Sequence, residues 1–567
     1  MKKRRFMLCS IISLIMVFVM AVPMTVSADT ATVTKGTLQE AIDKAENGAV
    51  IKLEQNFKES ITIPVGKSIT LDLNGKTLTN EDGKDTITNN GTLTVTGSGN
   101  VDNVSHAKAA VYNNPGATVT LNGGKYTRSQ EAGKDPKDNG GNSYYNIVNM
   151  GNMTINDGVE VSQSGFFSSM IENGWFNGSQ NTTKKNAVLT INGGTFDGGL
   201  YTIKNDDYGK LNINNGQFTN SCQAVVLNWN ETTIEGGSFV VKGSAKEVIA
   251  NCYDNEDCDK GVVTINGGKF VANKDGKDIL FSDLGLPKGS IMINDGTFEG
   301  SLDKSADSTI IYGGDFTDDP GKYVDADNYA VLVFEDDDYR VIDNDDLAAG
   351  ALGAVYKMET ASGVTYYYFD EEDADKDAKL ETWGHSVAFY AMQHDGTIDA
   401  DQNDCITVPN NMSVNGFLAA LKAAGYQVNG KYYAIADPKA VEGYEFLGWY
   451  TANIDWTYPE NPDDFTYNTK EFKYTGVFDF DKKITDDTEV FAAWKKAGSD
   501  ATEPTQPGNV EKPSQDNGGT TAATDAKADK SAKTGDDFNL FAVGGVALAA
   551  IIAMAAVAIT GRRHRQR

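Results

Sequence analysis

Leu189-Thr190-Ile191-Asn192-Gly193-Gly194-Thr195-Phe196 repeats a phrase met earlier as Val119-Thr120-Leu121-Asn122-Gly123-Gly124-Lys125-Tyr126. The pattern is apolar-Thr-apolar-Asn-Gly-Gly-x-aromatic. Further copies end at Phe218, Phe239, Phe270, Phe298 and Phe316, a degenerate copy begins at Met153, and Leu93-Thr94-Val95-Thr96-Gly97 is an earlier echo. From Phe196 onward the aromatic positions are 22, 21, 31, 28 and 18 residues apart. A helical solenoid needs longer, helix-forming units. Here apolar and polar residues alternate with period two, which means strands.

A second short strand lies between copies, as in Ala224-Val225-Val226-Leu227-Asn228 or Val248-Ile249-Ala250-Asn251. Each unit therefore holds two or three strands joined by Asn/Gly/Asp turns, which is one coil of a parallel β-helix. Leu189, Ile191, Leu211, Ile213, Val263, Ile265, Ile291 and Ile293 are expected to point inward and stack in columns. The aromatic residues should form a further column, and the glycine pairs supply the tight corner. Extra residues leave the coils as outward loops. About ten coils at ~4.8 Å would make a rod on the order of 50 Å long.

The segment has recognisable ends. Thr37 to Ala45 reads as a short amphipathic helix that would cap the open N-terminal coil, as solenoids require. Val50-Ile51-Lys52-Leu53 and Ile69-Thr70-Leu71-Asp72-Leu73 read as first strands. After Phe316 the phrase stops, and Tyr329 to Phe334 with Tyr339 to Ile342 read as a terminal hairpin. The segment 29–345 resembles the pectate-lyase-like β-helix regions of bacterial surface proteins, which implies a right-handed parallel β-helix. The resemblance speaks for architecture only.

A second module spans 385–496. It carries Gly443-Tyr444-Glu445-Phe446-Leu447-Gly448-Trp449-Tyr450-Thr451, then Phe480 to Thr485, and closes with Asp487 to Trp494. These phrases resemble the internalin-type B-repeat (Listeria–Bacteroides repeat), which implies a small β-grasp-like domain. Asn453 to Lys473 reads as an insertion. Val414 to Tyr426 reads as its one helix, with Phe417, Leu418, Leu421 and Ala424 on one face. The aromatic residues of this module read as core. Residues 346–384 connect the two modules, with one strand expected near Tyr366 to Phe369.

Both termini carry targeting signals. Lys2 to Arg5, an apolar run from Phe6 to Val22 and Val26-Ser27-Ala28 make 1–28 a secretory signal peptide, cleaved after Ala28. Residues 497–534 are rich in Thr, Pro, Gly, Ser, Ala and Asp without apolar pattern, hence a disordered spacer. In 535–567, Phe538 to Thr560 is long enough to span a bilayer, and four arginines follow it. Lys533-Thr534-Gly535 stands just before. This order of Thr-Gly motif, apolar helix and basic tail resembles the sortase sorting signal of Gram-positive surface proteins. In the family pentapeptide, Leu-Pro-x-Thr-Gly, leucine and proline stand where this chain has Ser531 and Ala532. The resemblance implies cleavage of the Thr534–Gly535 bond by sortase and joining of Thr534 to peptidoglycan. If the motif is not used, the helix remains as a single-pass anchor. Either way the bulk of the chain lies outside the cell.

The formal net charge is −29. Without the four basic residues of 1–28 it becomes −33, and without the four arginines and two aspartates of 535–567 it becomes −35. Only Arg128 and Arg340 remain in 29–534. Nucleic acid is excluded as a partner, because phosphate recognition needs a basic face. The same charge disfavours polyanionic partners, and so a pectin-type substrate, unless calcium intervenes.

Candidate sites follow from composition. Cys252 and Cys258 are close enough for a disulfide loop in an oxidising location and equally compatible with free thiols. The missing Cys-x-x-Cys spacing and the lack of a nearby histidine argue against zinc. Asp254, Glu256, Asp257 and Asp259 offer hard oxygens suited to calcium, or a solvated acidic loop. No other cofactor is indicated. No catalytic set is assigned: Asp206 and Asp207 read as a solvated turn, His106 is isolated, and Arg128 lacks clustered carboxylates. Trp175, Trp229, Tyr144, Tyr145 and Tyr208 lie outside the repeat phrase, where they could stack on sugars or cover loops. The expected function is a non-enzymatic adhesin or binding protein of a Gram-positive wall, recognising glycan or protein through the β-helix. The alternative is a surface-attached polysaccharide lyase or glycosidase.

Overall fold

The computed structural model describes residues 30–33, 37–129, 144–165, 167–251, 261–272, 279–283, 290–302, 308–334, 338–344, 354–369, 374, 379–396, 402–423, 427–428, 430–454, 472–500 and 503–505. The chain is mainly β, and through Phe316 its strands stack in parallel into long sheets, the arrangement of a parallel β-helix. Each coil visits a first, a second and a third sheet in turn, as in Ala187–Ile191, Thr195–Gly198 and Tyr201–Asn205. The first sheet holds twelve described strands. It begins one strand earlier than the sequence suggested, because Thr30–Val33 pairs in parallel with Ala49–Leu53 ahead of the cap helix.

The repeat phrases lie residue over residue. Leu189 pairs with Leu211, Ile191 with Ile213, and Phe196 with Phe218. A one-residue slip would turn every inward side chain out, so the alternation fixes this register. All eight apolar positions expected to face inward are fully buried. Successive rings of Phe196, Phe218, Phe239, Phe270, Phe298 and Phe316 stack at 4.7, 4.8, 4.7, 5.0 and 4.7 Å. That spacing is the backbone's own interstrand distance, so the column costs no distortion. The second glycine of the phrase makes room for it. Gly216 has φ +141, and a Cβ there would stand 2.9 Å from the Phe218 ring.

A buried asparagine row runs along the corner after the third sheet. Asn89, Asn113, Asn149, Asn173, Asn205 and Asn228 each donate Nδ2 to the next asparagine's Oδ1 at 2.8 Å, and the row ends at Asn251. The same amides also reach backbone carbonyls, for instance Asn113 to Asn152 at 3.0 Å. The row satisfies corner carbonyls that no sheet ladder can reach. A second, exposed row joins Asn122, Asn156, Asn192 and Asn214 at 2.6–2.7 Å, from the asparagine of the repeat phrase and its degenerate copy.

Helix Leu38–Lys44 closes the N-terminal end with Leu38 and Ile42 turned into the core. The Thr37 hydroxyl accepts from Glu40 N at 3.1 Å, a standard N-cap. The Glu59 carboxylate accepts from Leu38 N and Gln39 N at 2.7 and 2.9 Å, anchoring the helix to the first coil. At the other end Tyr329–Phe334 and Asp338–Asp343 form the antiparallel hairpin, which continues the second sheet. Thr365–Tyr368 and Tyr356–Glu359 extend the same sheet into the connecting segment.

Beyond it a five-stranded mixed sheet runs in the order Asp404–Pro409, Gly384–Tyr390, Thr488–Lys496, Tyr444–Asn453, Lys473–Val477. Helix Val414–Ala423 packs Val414, Phe417 and Leu421 against it. Trp449 and Trp494 are core residues here, and Trp494 Nε1 donates to Met392 O at 2.6 Å.

Candidate functional site

Along the third sheet the inward residues are apolar or belong to the asparagine row, and the residue just before that asparagine points outward. The outward row runs Tyr112, Val148, Glu172, Lys204, Leu227 and Ala250, each paired with the next. An outer face normally meets water. Here Val148, Glu172, Leu227 and Ala250 are all buried, with Glu172 only 2% exposed. Residues from the corners and loops of several coils cover this face.

The cover includes much of what composition singled out. Tyr144 and Tyr145 pack edge to face at 5.0 Å. The Tyr145 hydroxyl lies beside Glu172, and burial with that carboxyl pushes its ionisation up. Burial likewise pushes Tyr144 up to about 12. The Lys204 ammonium pairs with Asp206 and sits over two rings, Phe176 at 4.7 Å and Trp229 at 6.0 Å. Trp229 and Tyr201 pack on Leu227 and Ala250. Trp175 and Tyr208 form a separate pair at 6.2 Å, with Trp175 buried and Lys184 donating to the Tyr208 hydroxyl at 2.9 Å. Tyr145 and Trp229 thus flank the Glu172–Lys204 centre, while Trp175 and Tyr208 shore up the adjoining corner.

Glu172 is the electrostatic centre. Burial raises its carboxyl well above the usual range, Lys204 opposes this, and Asp206 reinforces it. The Glu172 carboxyl lies near the Asp206 carboxylate and the Tyr145 hydroxyl. Trp229 Nε1 is buried without an acceptor among the described residues.

Asp206 and Asp207 are not the solvated turn that their sequence suggested. Both are buried; Asp206 pairs with Lys204, and Asp207 accepts from Gly178 N at 2.7 Å. The covering loops withdraw this corner from water. Arg128 is built into the scaffold, donating to Ser105 O at 2.6 Å with its guanidinium 5.9 Å from the Tyr144 ring centroid. His106 is exposed and apart from the cluster.

Several candidates fall on other residues. Cys252, Asp254, Glu256, Asp257, Cys258 and Asp259 lie outside the described residues, as do residues 1–28, Lys533, Thr534, Gly535 and the C-terminal apolar run. Among the described residues no group of three or more His, Cys, Asp and Glu side chains could hold a metal ion. Likewise no described helix is long and apolar enough to cross a membrane. Cys222 and Cys405 are free thiols.

The sequence reading missed Glu172, Lys204 and Phe176. Phe176 is 74% exposed, an uncommon state for a large ring, beside the covered face. The signal was available: Glu172 and Lys204 immediately precede the asparagine that ends their strands, a position that must point outward. No family model matches the chain, no curated protein is significantly similar to it, and no solved structure matches it.

Proposed function

We propose that this chain is a surface-displayed binding protein that recognises glycan through the outer face of the third sheet. In this reading 1–28 directs secretion, and 535–567 attaches the chain to a Gram-positive wall through sortase. Residues 497–534 act as a spacer. The module 385–496 serves as a B-repeat-type spacer domain, and the rod is a right-handed β-helix. The observation that carries the binding role is the covered outer row, where Glu172, Asp206 and Lys204 meet Phe176, Trp229 and Tyr145. An exposed aromatic ring, here Phe176, beside clustered hydrogen-bonding groups is what sugar recognition uses.

The carboxyl pair favours a second reading, a β-helix glycosidase or lyase. Against it, both carboxyls are buried and Asp206 is already paired with Lys204. The test is a glycan and protein array probed with the full chain in a zwitterionic detergent, alongside assays for new reducing or unsaturated ends. Glycan hits without turnover support the adhesin. Turnover of any polysaccharide establishes the enzyme, and arrays without a hit contradict the binding role.

A further inference from the structure

We propose that Lys204 and Asp206 become joined by a lactam, an amide bond between Lys204 Nζ and Asp206 Cγ, with Glu172 as its acid–base partner. The inference concerns a modification of the chain itself and does not depend on what the covered face binds. Three observations carry it.

The first is the contact. The Lys204 ammonium touches Asp206 Oδ2, and the two side chains are only 12% and 4% exposed. They flank Asn205 of the buried row and meet on its outer side. The orientation that separate molecules must find before they react is here fixed by the fold.

The second is the set of groups around that contact. Asp206 Oδ1 accepts from Asp207 N at 3.1 Å, which polarises the carboxyl and would steady the oxygen of a tetrahedral intermediate. Glu172 is the partner of Lys204 on the adjacent strand, and it lies near the Asp206 carboxylate and the Tyr145 hydroxyl. A carboxyl in that place can carry a proton between the amine and the leaving oxygen. A plain ion pair has no use for it: a second buried carboxyl only adds charge to a face whose other buried outward residues, Val148, Leu227 and Ala250, are apolar.

The third is the seal. Glu172 is 2% exposed, and the Lys204 ammonium sits over the Phe176 and Trp229 rings. A buried ion pair carries the desolvation penalty of two charges, and a neutral amide carries neither. Exclusion of water favours the condensation and protects its product from hydrolysis.

The step balances. The Nζ–Cγ bond forms and the Cγ–Oδ2 bond breaks. Oδ2 leaves as water with two of the three ammonium protons, one of them relayed through Glu172, which ends as it began. Nζ keeps the third proton as an amide N–H, and Oδ1 becomes the amide oxygen. Nothing is oxidised or reduced, and no further reactant is needed.

The test is a tryptic map of the denatured full chain, read by tandem mass spectrometry. Trypsin cuts after Lys185, Lys204 and Lys210. The lactam predicts a peptide from Asn186 to Lys210 that is uncut at Lys204 and one water lighter than its sequence, with the loss placed between Lys204 and Asp206. Glu172→Gln should give the full mass and cutting at Lys204 in a chain that still melts as a folded protein. Lys204→Arg, which keeps the cation and loses the nucleophile, should also give the full mass. The map of the unsubstituted chain decides the bond whatever the variants do. Full mass with cutting at Lys204 overturns the proposal. So does a water loss traced to a succinimide at Asn192-Gly193 or Asp197-Gly198 with Lys204 still cut. A lactam as complete in folded Glu172→Gln as in the unsubstituted chain overturns the role of Glu172.

Discussion

Replacing Asn113 by alanine tests whether the buried asparagine row holds the coils together. Asn113 accepts from Asn89 at 2.8 Å, and donates to Asn149 Oδ1 at 2.8 Å and to Asn152 O at 3.0 Å. Three hydrogen bonds are lost. Its neighbours keep other partners: Asn89 still reaches Thr118 O at 3.0 Å, and Asn149 Oδ1 still accepts from Gly151 N. The penalty for stranded groups is therefore modest. At about 1 kcal/mol net per bond, the expected loss is about 3 kcal/mol. Asn192 is the matched control. It too has two partners in a row, donating to Asn156 and accepting from Asn214 at 2.7 Å, but it stands in water. Water replaces those bonds, so Asn192→Ala should cost below about 0.5 kcal/mol. Urea unfolding of both variants, followed by far-ultraviolet circular dichroism, gives the comparison. Equal midpoints for the two variants would refute the claim that burial makes the inner row structural.

Two further perturbations follow. Phe239→Ala removes a fully buried ring stacked at 4.8 and 4.7 Å on its neighbours; a loss of about 3–5 kcal/mol is expected in the same assay, and a loss under ~1 kcal/mol would show that the column is dispensable. The raised carboxyl of Glu172 makes the folded state bind a proton more tightly than the unfolded state, so stability should fall as pH rises from its ordinary carboxylate range through its raised folded value. The slope is about 1.4 kcal/mol per unit at most, and Glu172→Gln should remove it; parallel pH profiles for the two proteins would contradict the assignment.

The rod was legible because its signals repeat. Alternation in Leu189-Thr190-Ile191 and in Leu211-Asn212-Ile213 fixes both the strand and its inward face, and the Gly-Gly-x-Phe that closes the phrase fixes the corner and the column. The cap helix was legible from Thr37 and the spacing of Leu38 and Ile42. The third sheet was harder to read. Strands such as Val111–Asn113 and Ile171–Asn173 are three residues long, too short for periodicity to speak. Their mark is a single recurring asparagine, whose meaning lies in a neighbour more than twenty residues away. The site was less legible still. Tyr145 and Trp229 drew notice by composition, but Asp206 and Asp207 looked like surface because the loops that bury them come from other coils. Nothing local in Ile171-Glu172-Asn173 announces a carboxyl shut away beside Lys204.

The most direct test of the account is the structure of the full chain bound to the glycan that it captures from an array. The expected result is a sugar ring against Phe176, on the outer face of the third sheet. A glycan seated instead on the first sheet's face, or on the module 385–496, would contradict it.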